Sequence, residues 1–178
     1  MKKDTILSAL RRLGELAGED GIRLEVSLYG GTVFLLAYES REATRDVDGL
    51  LHPREEGEKM IAQVAREMDL PEDWLNGNVA QFVSPKGETK RRLVDIENET
   101  GLILHVPTAR YLLAMKALAC RRPIGAYQGD VDDLRFLLQK MKIKSVDEIQ
   151  EVVDSYYPDD VIRAEDRILL QSLLEEKP

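Results

Sequence analysis

The sequence predicts an α+β fold. A mixed β-sheet with flanking helices runs to about residue 106, and a C-terminal helical bundle packs on it over 107–178, the whole forming one compact unit. Three observations predict this. Leu24, Val26 and Leu28 alternate with Glu25, Ser27 and Tyr29, the period of a half-buried strand. Residues 92–96 and 102–106 read as two further strands joined by Asn98-Glu99-Thr100-Gly101, a hairpin pattern. After Pro107 the apolar spacing changes to that of helices, beginning with a nearly all-apolar run over 108–120.

The elements follow in order. Ile6, Leu7, Leu10, Leu13, Leu16 and Ala17 recur at helical spacing with charged residues opposite, so an amphipathic helix ends near Gly18. The strand at 24–29 leads into Gly30-Gly31, where the backbone can turn sharply. An apolar helix starts at Thr32, and a polar run over 39–45 leads to Asp46-Val47-Asp48 on a second strand. Pro53-Arg54 opens a helix to about Met68, with Met60, Ile61, Val64 and Ala65 inward. Residues 74–78 read as loop, 80–83 as strand and 85–88 as turn. Beyond the apolar helix, 121–129 is a loop. Val131, Leu134, Leu137, Leu138 and Met141 mark the next helix. Ser145 with Glu148 is a capping-box signature for another, which Pro158 breaks. Asp159 or Asp160 caps the last helix, with Ile162, Leu169, Leu170, Leu173 and Leu174 inward.

Composition narrows the function classes. With 178 residues, 43% hydrophobic and 33% charged, the chain reads as an ordinary globular protein. Its formal charge of −8 argues against non-specific binding to nucleic acid or membranes. The single cysteine, Cys120, sits in an apolar run and reads as a core residue. One cysteine and two well-separated histidines, His52 and His105, argue against a disulfide framework and a zinc site. The charged, amphipathic start does not read as a signal peptide, and no run approaches a membrane span. A cytoplasmic location and no membrane partner are expected.

The densest chemistry lies between Leu28 and Leu51. Residues two apart on a strand share a face, so Asp46 and Asp48 are expected to point the same way. Two adjacent carboxylates repel unless a cation lies between them, and Mg²⁺ commonly bridges carboxylates to substrate phosphates. The Gly-Gly turn opening a helix is a matching seat for phosphate. An acid pair of this kind is otherwise a solvated surface feature. Further along, Lys116 is the one charged residue between Tyr111 and Cys120. It either snorkels to solvent or meets an anion such as a nucleotide phosphate. Asp130 and Asp133 share a face at a helix start, where Asp130 is well placed as an N-cap.

Gly30, Gly31, Thr32, Asp46 and Asp48 together resemble the pattern of the nucleotidyltransferase superfamily, the polymerase-beta-like fold: a glycine turn, a spacer, then Asp-x-Asp. The spacer is at the long end, and Gly49 stands where an aliphatic residue is usual. Lys116, Arg121, Asp130 and Asp133, in LLAMK…R…D-x-x-DLRFLL, are similar to the region after the sheet in AbiEii-type nucleotidyltransferase-like proteins. The segment over 71–79 is similar to short members of that group. The resemblance covers about residues 30–138.

It implies a nucleotidyltransferase-like sheet and a Mg²⁺-dependent enzyme that moves a nucleoside monophosphate from a nucleoside triphosphate to an acceptor. By resemblance Asp46 and Asp48 are metal ligands, and Gly30, Gly31 and Thr32 cradle the triphosphate. Lys116 contacts phosphate, and Asp130 or Asp133 adds a further acid. Some relatives are toxins of toxin–antitoxin systems, and certain toxins modify transfer RNA, so an RNA acceptor and a cognate antitoxin are the implied partners. The alternatives are a non-catalytic nucleotide-binding or interaction protein on the same fold, and a transferase acting on a small molecule such as an antibiotic. Asp95 and Glu97 are candidates for a third acid, or else the polar face of an edge strand. Arg45, Arg121 and Arg122 are candidate phosphate contacts, and Trp74 reads as packed.

Overall fold

The computed structural model describes residues 1–92, 101–121 and 129–176. The chain divides into two compact units: Met1–Gln81 with Thr89–Pro107, and Phe82–Glu88 with Thr108–Pro178. The main division therefore falls between Pro107 and Thr108. In addition, a seven-residue segment inserted in the sheet half belongs to the helical half.

The first unit is a mixed α/β layer. Helix α1 (Lys3–Glu19) buries Ile6, Ala9, Leu10, Leu13 and Ala17 on one stripe. Strand β1 (Leu24–Tyr29) buries Leu24, Val26 and Leu28 while Glu25 is exposed, as the alternation predicts. Helix α2 (Gly30–Leu36), strand β2 (Val47–His52) and helix α3 (Arg54–Met68) follow. Then come β3 (Leu75–Asn76), β4 (Thr89–Arg92) and β5 (Leu102–Pro107). The five-stranded sheet has the order β3-β2-β1-β5-β4. β1 runs antiparallel to β2 and parallel to β5, β4 is antiparallel to β5, and β3 is parallel to β2. The sheet is therefore mixed, as expected.

Helix α3 packs on one sheet face, where Gly57 lies against Leu51 and Leu24 and leaves no room for a β-carbon. Residues of the same parity, Val26, Leu28, Val47, Leu102 and Leu104, are buried with them. Glu25, Ser27, Tyr29, Asp48 and His105 project from the opposite face, because registered partners share a face.

Three elements differ from expectation. Residues 80–83 do not form a strand: Asn78–Phe82 is a 3-10 turn. The Asn78 amide donates to Asn76 Oδ1 at 3.1 Å and Ala80 N to the Gly77 carbonyl at 3.0 Å, so local bonds outcompete a ladder. Within the expected loop at 74–78, Leu75–Asn76 pairs with β2. Trp74 is packed, as read, and its indole donates to the Ile61 carbonyl at 3.3 Å. The hairpin partner of β5 begins at Thr89, earlier than the expected strand, and residues 93–100 lie outside the described residues.

The second unit contains α4 (Ala109–Ala119), α5 (Val131–Met141), α6 (Val146–Tyr156) and α7 (Ala164–Glu175). α4 packs on α5 and α6, and α7 packs on α5 and α6. The Ser145 hydroxyl accepts from the Glu148 amide at 3.2 Å, which bears out its capping role. The Glu148 carboxylate accepts from the Lys144 amide instead of that of Ser145. The last helix starts at Ala164, not after Asp159 or Asp160. Ile162 is buried ahead of it, and its amide is held by Gln150 Oε1 at 3.0 Å. The inserted segment Phe82–Glu88 is strapped down by tyrosines. Ser84 N donates to Tyr111 Oη at 2.6 Å, and Tyr157 Oη donates to the Phe82 carbonyl at 2.7 Å. Gly87 lies on the Tyr111 ring, where a β-carbon would stand 2.5 Å from Cε1. Among the described residues, no helix is long and apolar enough to cross a membrane.

Candidate functional site

The glycine turn is built as the end of β1. Gly30 has φ +59°, a left-handed conformation that favours glycine. The β1–β2 register sets Tyr29 opposite Asp48, and this returns the second acid of Asp-x-Asp to the turn. The Asp48 carboxylate lies against the α-carbon of Gly30, in space a β-carbon would occupy. Gly31 is crowded from another side. A β-carbon there would stand 2.6 Å from Thr44 Oγ1 and 3.1 Å from Arg41 Nη1.

Asp46 precedes β2 and sits in a bend, so only Asp48 is on the strand. Two hydroxyls hold the Asp46 backbone: Thr32 Oγ1 donates to its carbonyl at 3.2 Å and Thr44 Oγ1 at 3.1 Å. Thr32 is fully buried, so its hydroxyl braces the acid segment from the first turn of α2. The polar spacer is further tied down by a β-bridge between Lys2 and Ala43 and by a bond from Thr44 N to the Met1 carbonyl at 3.0 Å. Both carboxylates are half-buried, and that of Asp46 makes no hydrogen bond or ion pair among the described residues.

No family model, no curated protein and no solved structure matches the chain.

The other predicted residues gather in the helical unit. Lys116 is only 5% exposed, and its ammonium neither snorkels nor faces open solvent. It donates to Asp130 Oδ1 at 2.5 Å and lies 2.8 Å from Asp133 Oδ2. Asp130 does not cap α5 through its side chain. Its carboxylate accepts from Lys116, from the Arg121 amide at 3.0 Å and from the Arg121 guanidinium at 3.2 Å. The capping expectation fails because a buried carboxylate gains more from two cations than from one amide. Burial opposes its ionisation, yet Lys116 and Arg121 outweigh that and hold the carboxyl below its ordinary range.

Gly30, Gly31, Thr32, Asp46 and Asp48 thus come together in the sheet unit, and Lys116, Asp130 and Asp133 in the helical unit. Asp95, Glu97 and Arg122 lie outside the described residues. Among the described residues, no three histidine, cysteine or acidic side chains gather as a metal site. Cys120 is buried, as expected.

Two features were missed in the sequence. Arg41 and Thr44 looked like spacer, yet they border the glycine turn. The available signal was the length of that spacer, which is long enough to fold back. The histidines, read as unrelated, are both set beside Glu25 by the sheet. His52 is the registered partner of Glu25, and His105 Nε2 lies 3.3 Å from Glu25 Oε2.

Proposed function

We propose that this chain is a Mg²⁺-dependent nucleotidyltransferase of the polymerase-beta-like kind, related to the AbiEii-type proteins, transferring a nucleoside monophosphate from a nucleoside triphosphate to an acceptor. One observation carries the reading: the antiparallel register of Tyr29 with Asp48 seats an acid of the Asp-x-Asp pair directly on the glycine turn. The residues fit the metal. Asp46 and Asp48 are hard oxygen donors, half-buried, and the Asp46 carboxylate is not engaged elsewhere among the described residues. When bound, Mg²⁺ supplies charge neutralisation at the reacting phosphate.

The chain's own residues do the positioning. Thr32 and Thr44 fix the Asp46 backbone, and the missing β-carbon of Gly30 lets the Asp48 carboxylate sit against the turn. In the reaction an acceptor hydroxyl oxygen forms a bond to the α-phosphorus. The bond to pyrophosphate breaks, and the hydroxyl proton passes to solvent. The acidic charge of the chain weighs against RNA as acceptor and keeps a small-molecule acceptor in play. The test is transfer of label from α-labelled nucleoside triphosphates to an RNA pool and to hydroxylated small molecules. Asp46→Asn with Asp48→Asn is expected to abolish transfer with an unchanged melting temperature. Retained transfer would sink the assignment.

The neutralised Lys116 favours a second reading. A lysine already bound by two carboxylates is poorly placed to serve phosphate, so the scaffold would bind nucleotide, or a cognate antitoxin, without turnover. Calorimetric titration with Mg²⁺ and the four nucleoside triphosphates, beside the transfer assay, separates the two: binding without transfer to any acceptor supports this reading.

A further inference from the structure

We infer that His105, paired with Glu25 on the sheet face opposite α3, is the general base that takes the proton of the acceptor hydroxyl on its way to solvent. This deepens the nucleotidyltransferase reading and rests on it for the identity of the reaction.

The reaction needs such a group. A hydroxyl attacking phosphorus loses its proton as the new bond forms, and water is a weak acceptor for it. Asp46 and Asp48 are ill suited, because a carboxylate holding a metal ion has its lone pairs committed. Lys116 is bound by Asp130 and Asp133 in the helical unit.

Register sets an imidazole on the face that carries Asp48. Tyr29 pairs with Asp48 on β2, and Ser27 pairs with His105 on β5, so these four positions share a face. β2 and β5 flank β1 and lie about 10 Å apart. His105 is offset from the level of Asp48 by two residues, about 7 Å along the strands. The two α-carbons are then about 12 Å apart. That span leaves room for a phosphate beside Asp48 and an attacking oxygen beside the imidazole.

The ring is oriented for the task. Its Nε2 is enclosed and lies 3.3 Å from Glu25 Oε2. A carboxylate there favours the tautomer with the proton on Nε2 and leaves the Nδ1 lone pair to act as base. Nδ1 is neither enclosed nor hydrogen-bonded among the described residues. The side chains of His105 and Glu25 are 24% and 47% exposed, so the pair is within reach of a ligand. At that exposure an ion pair adds little to stability, which leaves this one without a large structural duty. His52 also neighbours Glu25, but it is exposed and makes no ion pair among the described residues that would fix its ring.

In the step, the acceptor oxygen bonds to the α-phosphorus while its proton moves to Nδ1. The bond from the α-phosphorus to the bridging oxygen breaks, and pyrophosphate leaves with that electron pair. The imidazolium, held by Glu25, then releases the proton to solvent.

The experiment measures label transfer by the full chain in Mg²⁺ with and without added imidazole. His105→Ala is expected to lower kcat about 100-fold or more, with the KM for nucleoside triphosphate unchanged. Imidazole is expected to restore about tenfold of that loss or more, and pyrazole, of the same shape but a far weaker base, none of it. Glu25→Gln, at an exposed site, is expected to keep the melting temperature and lower kcat by about tenfold. A second readout uses no turnover. Diethyl pyrocarbonate acylates neutral imidazoles, and mass spectrometry locates the product. A nucleoside triphosphate analogue with a methylene between its α- and β-phosphorus, in Mg²⁺, is expected to slow modification of His105 and not of His52. Full transfer by His105→Ala, equal rescue by pyrazole, or no protection of His105 overturns the inference. If His105→Ala does not fold, Glu25→Gln and the protection readout decide. An active chain indifferent to His105→Ala leaves the transferase reading standing without this base. A chain that transfers nothing to any acceptor ends both.

Discussion

The Asp48 carboxylate rests on the α-carbon of Gly30, one residue past the point where Tyr29 pairs with Asp48 across the β1–β2 ladder. Backbone register and a missing β-carbon together place this acid. The glycine is doubly constrained, by its φ of +59° and by its neighbour.

Gly30→Ala is therefore expected to destabilise the sheet unit by about 1–3 kcal/mol, combining left-handed strain with displacement of Asp48. Urea denaturation followed by the fluorescence of Trp74, the chain's one tryptophan, measures this. A change below about 0.5 kcal/mol would show that the turn relaxes freely.

In the helical unit, removing the cation from a buried pair is more costly than removing the whole cluster. Lys116→Met leaves Asp130 and Asp133 with one cation fewer and is expected to cost about 3–5 kcal/mol. Adding Asp130→Asn and Asp133→Asn to Lys116→Met is expected to recover a large part of that loss. Helical circular dichroism during chemical unfolding reads both. A triple variant no more stable than the single one would contradict the charge argument.

Acid should weaken both units. Asp130 is held below its ordinary range against the opposing effect of burial. Glu67, which accepts from Arg12 and then from Gln63, is held at about 2. Both folded values lie below the unfolded ones, so each group adds stability above its unfolded pKa. That stability is lost as pH falls through the folded value. The unfolding midpoint is expected to be flat from pH 7 to about 5 and to drop below about pH 4. Glu67→Gln should make the drop shallower, and an unaltered slope would exclude it as a contributor.

Ser145 caps α6 through its hydroxyl, so Ser145→Ala is expected to cost about 1 kcal/mol. Ser145→Asp should restore most of it, because a carboxylate serves the same amide. Thermal unfolding of the two variants checks the order.

Most of the elements were legible because their signals are local. The alternation of Leu24, Val26 and Leu28 and the helical stripe from Ile6 to Ala17 are set by backbone periodicity, which neighbouring residues alone determine. The segments misread, 78–82 and 158–163, are those where side chains such as Asn76 and Gln150 bond to the backbone and decide the conformation.

For the site, the sequence by itself determined which chemical groups are present: a glycine turn, two acids, an apolar helix with one lysine, and two downstream aspartates. Only the tertiary structure decided their partners. Lys116 and Asp130 are fourteen residues apart, and the packing of α4 against α5 brings them to 2.5 Å. The β1–β2 register brings Asp48 to Gly30, and the fold of the polar spacer brings Arg41 to Gly31. Electrostatic and hydrogen-bond energies fall off over a few ångströms, and a linear sequence does not encode distance at that scale.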